Sequence, residues 1–311
     1  NIDLDQGNMG VPRLAVQSHR GLNSFPDWSP DGRYLAYVSG RPDSKSYVIS
    51  IRDEKTGEER EIHPELIELA RFEIRWSPDG RSFLATGQDR EQRDGLFLVD
   101  AQTGKVKSPL LRGEQVTGAF FDAQWMPDGR RIVYATNSRR PEVISRIVVL
   151  DPETGSEQEI LRMTDLRLVG FLALSPDGSR LAFTAHRLTG GADGGRIASV
   201  ALTVISASGG ETTELFQVKF PEIFSSLVWS RDSRSILFMR ANVSVPEIEQ
   251  GTVWQIPAAG GEPRRLGVVP GLVTRGRLSL HPDGRRIVYT RGERRFEIWA
   301  MENLLPLTQG R

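Results

Sequence analysis

The chain has 311 residues, 38% of them hydrophobic, and its 40 Lys and Arg balance 40 Asp and Glu, so it carries no formal net charge. That neutrality argues against nucleic-acid binding and against an anionic membrane surface, both of which favour a basic surplus, and no apolar run approaches the roughly 20 residues that span a bilayer. Cysteine is absent, which excludes disulfides, thiolate metal sites and cysteine nucleophiles.

Residues 1–11 read as a flexible tail. Asp3, Asp5, Gly7 and Asn8 hold only the beginning of a calcium-loop spacing. The chain starts at Asn1 rather than Met and shows no signal peptide, so an upstream part removed before this start is expected. Pro12-Arg13-Leu14-Ala15-Val16-Gln17-Ser18 then matches Pro263-Arg264-Arg265-Leu266-Gly267-Val268-Val269.

From there one motif recurs. It reads Trp28-Ser29-Pro30-Asp31-Gly32-Arg33, Trp76-Ser77-Pro78-Asp79-Gly80-Arg81 and Trp125-Met126-Pro127-Asp128-Gly129-Arg130. It continues as Leu174-Ser175-Pro176-Asp177-Gly178-Ser179, a degenerate Trp229-Ser230-Arg231-Asp232-Ser233-Arg234, and Leu280-His281-Pro282-Asp283-Gly284-Arg285. The turn aspartates fall at 31, 79, 128, 177, 232 and 283, a near-constant spacing. Proline sets φ for a turn, aspartate bonds its own local backbone, and glycine adopts φ > 0 without steric cost. Pro-Asp-Gly therefore joins two strands, and these aspartates are turn residues rather than catalysts. An alternating strand follows each copy, as in Tyr34–Val38 and Arg286–Thr290. A third strand and a Thr-Gly or Gly-Gly turn come next, then a more polar fourth strand. Four short strands per repeat describe propeller blades. The sixth repeat stops after its third strand, so residues 12–18 are expected to pair with 296–301 and close the last blade, removing an exposed edge.

The predicted fold is thus all-β, a six-bladed β-propeller with four antiparallel strands per blade over residues 12–303, followed by a short tail at 304–311. The Trp-Ser-Pro-Asp-Gly-Arg copies with their Ile/Leu-Ala/Val-Phe/Tyr strands resemble the WD-like repeat of TolB-type propellers, and the resemblance covers nearly the whole chain. It implies a bacterial protein, placed in the periplasm or otherwise outside the cytoplasm, with the cytoplasm as the alternative. Similar propellers also end larger bacterial sensor proteins. The α/β domain that precedes the propeller in TolB has no counterpart in these residues, which argues against a literal Tol–Pal role.

Loop lengths separate the two faces. One carries only tight turns. The long second-to-third connections, Asn137–Glu142, His186–Arg196 and Asn242–Gln250, all fall on the other, where variable loops on a rigid ring commonly bind. The start of each inner strand lies on that same face. Reading positions three and one before each motif Trp or Leu gives Asp27, Glu73, Arg75, Asp122, Gln124 and Arg277 as a charged and polar ring at the channel mouth. Such a ring serves either as an inter-blade ion network or as a binding pocket.

Signatures of catalysis are missing. There is no Gly-x-Ser-x-Gly elbow, no His-Glu-x-x-His and no phosphate-binding loop. The four histidines, His19, His63, His186 and His281, lie in different blades and do not converge on a metal. The expectation is a non-catalytic module that binds or senses a protein or peptide. It needs no cofactor, although a structural cation in the channel stays open, and it is expected to be monomeric, without nucleic-acid binding or direct membrane insertion. Two alternatives stand beside it. One is a propeller lyase, cyclase or hydrolase using Glu73 and Asp122 as paired carboxyls. The other is a regulatory lid for a catalytic domain upstream.

Overall fold

Each motif copy folds as a tight turn between two antiparallel strands, and one set of hydrogen bonds repeats around the molecule. In the first copy the Ser29 hydroxyl donates to Asp31 Oδ1 at 2.6 Å, and Asp31 Oδ1 accepts the Arg33 N–H at 3.0 Å. Ser29 Oγ in turn accepts the Tyr34 N–H at 2.8 Å. The same bonds recur at Ser77–Asp79, Ser175–Asp177 and Ser230–Asp232. The Ser29 hydroxyl and the Arg33 amide hold the Asp31 carboxyl below its ordinary range. In the degenerate copy Ser233 occupies the glycine position and takes φ 57°, the left-handed region that glycine occupies elsewhere.

The computed structural model describes residues 2–3, 8–11, 13–16, 23–40, 47–66, 73–92, 94–112, 122–138, 143–164, 167–190, 195–244, 250–270 and 277–290. Strands β1 (Ile2–Asp3) and β2 (Asn8–Met9) form a small antiparallel pair. The first blade is β3 (Asn23–Trp28), β4 (Tyr34–Gly40), β5 (Tyr47–Asp53) and β6 (Glu59–Ile62). The second is β7 (Ile74–Trp76), β8 (Ser82–Gln88), β9 (Asp94–Asp100) and β10 (Val106–Arg112). The third is β11 (Asp122–Trp125), β12 (Ile132–Ser138), β13 (Ile144–Asp151) and β14 (Ser156–Met163). The fourth is β15 (Arg167–Leu174), β16 (Arg180–Thr189), β17 (Arg196–Ser206) and β18 (Thr213–Lys219). The fifth is β19 (Glu222–Trp229), β20 (Ser235–Asn242), β21 (Gln250–Pro257) and β22 (Arg264–Pro270). The sixth repeat supplies β23 (Leu278–Leu280) and β24 (Ile287–Tyr289) as a two-stranded sheet.

The repeat predicts six four-stranded blades; the described residues form five, and the sixth copy reaches only its first two strands. The reason is where the remaining strands would come from. Residues 296–301 and the tail 304–311 lie outside the described residues, as do 12 and 17–18, and residues 13–16 are not in a strand. The connection expected over His186–Arg196 is shorter, because β16 and β17 stay paired as far as Thr189 and Arg196 and His186 lies within the strand; residues 139–142, 191–194 and 245–249 lie outside the described residues.

All six inner strands and turns are nonetheless placed, and they form a ring, with β23 packed between β19 and β3. On the tight-turn face Pro30 packs on Gly80, Pro78 on Gly129 and Pro127 on Gly178. The ring closes where the His281 imidazole meets Gly32, its Nε2 donating to the Gly32 carbonyl at 3.0 Å, and packs edge-on against Trp28. A carbonyl only accepts, so His281 Nε2 carries the proton there. The hydrophobic core is split into layers between adjacent blades. Trp76 packs against Phe83 between the first two blades. Trp229 is buried between the fourth and fifth and donates its indole N–H to the Ala173 carbonyl at 2.8 Å. Alternate apolar residues on strands covered by blades on both sides are what bury these layers. At the N-terminus Met9 packs against Gly267 on the outer strand of the fifth blade.

Candidate functional site

Glu73, Asp122 and Arg277 occupy equivalent places at the starts of inner strands, and the ring's curvature brings them together. Arg277 is only 2% exposed, the largest fully buried side chain described. Its Nε donates to Glu73 Oε2 at 2.6 Å and its Nη2 to Asp122 Oδ1 at 2.5 Å. One guanidinium from the sixth repeat therefore crosses the channel to the second and third blades. Asp122 also accepts the Leu172 N–H at 2.9 Å, which ties the third blade to the fourth.

Asp27 and Arg75 form the adjoining half of the cluster. Asp27 Oδ2 accepts the Trp76 N–H at 2.8 Å, and Oδ1 accepts the Ser279 hydroxyl at 3.2 Å. Arg75 sits 3.5 Å from both Asp27 and Glu73, a looser contact than either made by Arg277. Gln124 is placed differently. Its amide donates to the Leu172 carbonyl and accepts the Leu174 N–H at 2.9 Å, so both ends are used on the backbone of β15. Five of the six expected residues thus make one ion cluster, and the sixth clamps neighbouring blades. Ser226, which accepts the Leu278 N–H at 2.9 Å, does the same between the fifth and sixth repeats. The polar positions before each motif contain both, and the residue type alone does not separate clamp from cluster.

Electrostatics follow from burial. Loss of water pushes the Glu73 carboxyl up to about 7, against the pull of Arg75. Burial, reinforced by the charge of Glu73, raises Asp122 well above its ordinary range. Burial raises Asp27 too, opposed by Arg75 and the Trp76 amide. Glu73, Asp27 and Arg75 keep 14–19% of their side-chain surface exposed, against 5% for Asp122 and 2% for Arg277. The first three are the edge of the cluster that water reaches.

Other candidate chemistry is separate. Among the described residues no group of three or more His, Cys, Asp or Glu side chains is placed to hold a metal ion. His19 lies outside the described residues. His186 is buried in the fourth blade beside Thr184, and burial lowers it to about 4. A cavity of about 430 Å³ opens elsewhere, between residues 9–11 and 13–16, the first blade and the sixth sheet. None of the six channel residues lines it.

No protein-family model and no curated protein sequence matches the chain. Solved structures do. A TolB-type protein from Agrobacterium tumefaciens superposes with a TM-score of 0.64 at 16% identity, over 88% of this chain and 91% of that one. The chain has a TolB-like β-propeller fold. TolB from Acinetobacter baumannii gives 0.55 at 21% identity, over 80% of this chain and 57% of that protein. An oligogalacturonate lyase from Vibrio parahaemolyticus gives 0.50 at 14% identity, over 84% of this chain and 68% of its own length. One fold thus houses proteins of different kinds, and only this chain's own site speaks to its function.

Proposed function

We propose that this propeller is a non-catalytic module that binds a protein or peptide on its long-loop face, centred on the channel mouth. The observation that carries the reading is the contrast between the two faces. On the tight-turn face the motif aspartates bond within their own turns, and the turns interlock. On the other, Asp27, Glu73 and Arg75 present charge at the water-reached edge of a cluster anchored by Asp122 and Arg277, with Gln124 bracing the wall behind. Bridging by Arg277 also argues against the paired-carboxyl enzyme, since a general acid and base must each be free to reach substrate.

The rest of the proposal follows the repeat. The sixth copy shares its turn geometry and inner-strand position with the other five, which supports a sixth blade within residues 12–303, closed by residues 12–18 against 296–301. Likeness to TolB-type propellers supports a location outside the cytoplasm and a protein partner. A photo-crosslinking residue tests the face. Placed at Asn242, on the loop face, it is expected to trap a defined partner from an extract of the source organism. Placed at Thr56 or Thr103, on the tight-turn face, it is expected to trap none. Equal trapping from both faces, or trapping from the tight-turn face alone, overturns the assignment.

A further inference from the structure

The channel cluster is not charge-balanced. Asp27, Glu73 and Asp122 bring three carboxyls, while Arg75 and Arg277 bring two guanidiniums. Charged and polar groups face Glu73 from several strands. Its own strand brings Arg75, the β11 strand Asp122, and the residue before β23 Arg277. The β3 strand adds Asp27, whose carboxyl feels the charge of Glu73. From β8 comes only Thr86, whose hydroxyl oxygen accepts the Glu73 N–H at 3.0 Å. The fourth and fifth blades present neutral groups at this level, the Leu172 amide and the Ser226 hydroxyl. Among the described residues, no further cation offsets the third carboxyl.

Glu73 and Asp122 both reach one nitrogen of Arg277, so they lie close to each other as well. Two carboxylates in such a place ionise in sequence rather than together. We propose that the cluster is a one-proton switch: with a proton shared by the Glu73–Asp122 pair the channel mouth is neutral, and without it the mouth carries one net negative charge. Arg277 is the fixed arm of the switch, because it is buried and bonded to both acids. Glu73 is the arm that water reaches. The direction of the upward shifts at both acids agrees with this geometry. A folded-state value raised to about 7 means the proton stays on below neutrality and leaves above it. Resting on the binding reading above, the deprotonated mouth holds a cationic group of the partner more strongly. If only the ionised form binds, affinity rises by about tenfold from about pH 6 to about pH 8.

The test follows the side-chain carboxyl carbons of the full chain by NMR, with carbon-13 label in Glu and Asp. In the wild type Glu73 is expected to titrate near neutrality, apart from the exposed glutamates, and the Asp122 signal to shift in the same transition. In Glu73→Gln the Asp122 titration is expected to move to lower pH, because its like-charged neighbour is gone. A Glu73 carboxyl that titrates near its ordinary range overturns the switch, whatever binds the propeller. So does an Asp122 titration unchanged in Glu73→Gln. Should Glu73→Gln fail to fold, the wild-type titration alone decides. A switch that titrates as expected in a protein whose loop face traps no partner leaves the switch standing and removes the binding reading.

Discussion

Replacing Arg277 by leucine removes the guanidinium that bridges the buried Asp122 and the half-buried Glu73. Leucine fills the width of the stem but stops short of the guanidinium, so the change removes charge and hydrogen bonds and also leaves a small void. Breaking a buried ion pair by deleting one partner costs about 3–5 kcal/mol, because the remaining charge is left unpaired in a low-dielectric site. Arg277 is 2% exposed and Asp122 4%, so little water is on hand to compensate. The cost is therefore expected at about 3–5 kcal/mol near pH 8, where the acids must ionise. With an unfolding entropy of about 2.1 cal/mol/K per residue, a chain of 311 residues loses about 1.5 °C in Tm for each kcal/mol, which puts the fall at about 5–8 °C. The penalty also depends on pH, with a definite sign. Without the guanidinium, Glu73 and Asp122 hold their protons to still higher pH, so near pH 5 both are neutral and the variant loses less. Urea unfolding followed by the fluorescence of the six tryptophans at both pH values reads this directly. A cost under about 1 kcal/mol near pH 8 would refute the buried-clamp account, since that is the range of exposed pairs. A cost that is no smaller near pH 5 would refute the role of the two acids.

Two further predictions concern stability. Burial lowers His186 to about 4, so its folded value lies below the unfolded one. The unfolded chain then takes a proton first, and stability is lost as pH falls from about 6.5 towards about 4. Glu73, raised to about 7, works in the opposite sense: its contribution is lost as pH rises towards neutrality. Each effect is therefore read as a difference from wild type, and His186→Gln is expected to flatten the urea midpoint over the acidic window; a profile parallel to wild type would count against a buried neutral imidazole. The second compares Gly32→Ala with Gly155→Ala. Both glycines have φ near +70°, but a Cβ at Gly32 would lie 2.6 Å from His281, while at Gly155 nothing is within 4 Å. Each loses about 1 kcal/mol to backbone strain, and Gly32→Ala a further 1–3 kcal/mol, roughly, to overpacking at the ring closure. Equal unfolding midpoints would show that the His281 contact does not hold the ring.

The blades were legible because their signals are local. Pro-Asp-Gly and its serine act over five residues, so six copies predict six turns, and even the degenerate copy keeps its bonds by forcing Ser233 into a left-handed conformation. Ile74, Ala123 and Leu278, which alternate with the channel residues along the inner strands, are buried in the core. The completion of the sixth blade was not legible in the same way, since it depends on pairing between residues near opposite ends of the chain. At the site, alternation identified which residues face the channel but not whom they meet. Arg277 lies in the sixth repeat, yet its partners are in the second and third, a choice made by ring diameter and side-chain reach. Gln124 stands at a position equivalent to Arg75 and ends on the backbone of the next blade instead.

The same residue type shows where local reading stops. Asp31 and Asp122 are both aspartates near the inner strand of a blade. Asp31 is bonded by a hydroxyl and an amide within two residues and sits in water, so its carboxyl is held down. Asp122 finds its partners 50 and 155 residues away, loses its water to the ring, and is pushed up. A turn made by neighbours in sequence fixes the charge of an acid before the propeller closes. An acid in the channel takes its charge from the closure itself, so the mouth's response to pH is a property of the assembled ring and not of any one blade. That is why the clamp at Arg277 and the proton at Glu73 belong to a single argument: loss of the first changes the pH at which the second is released.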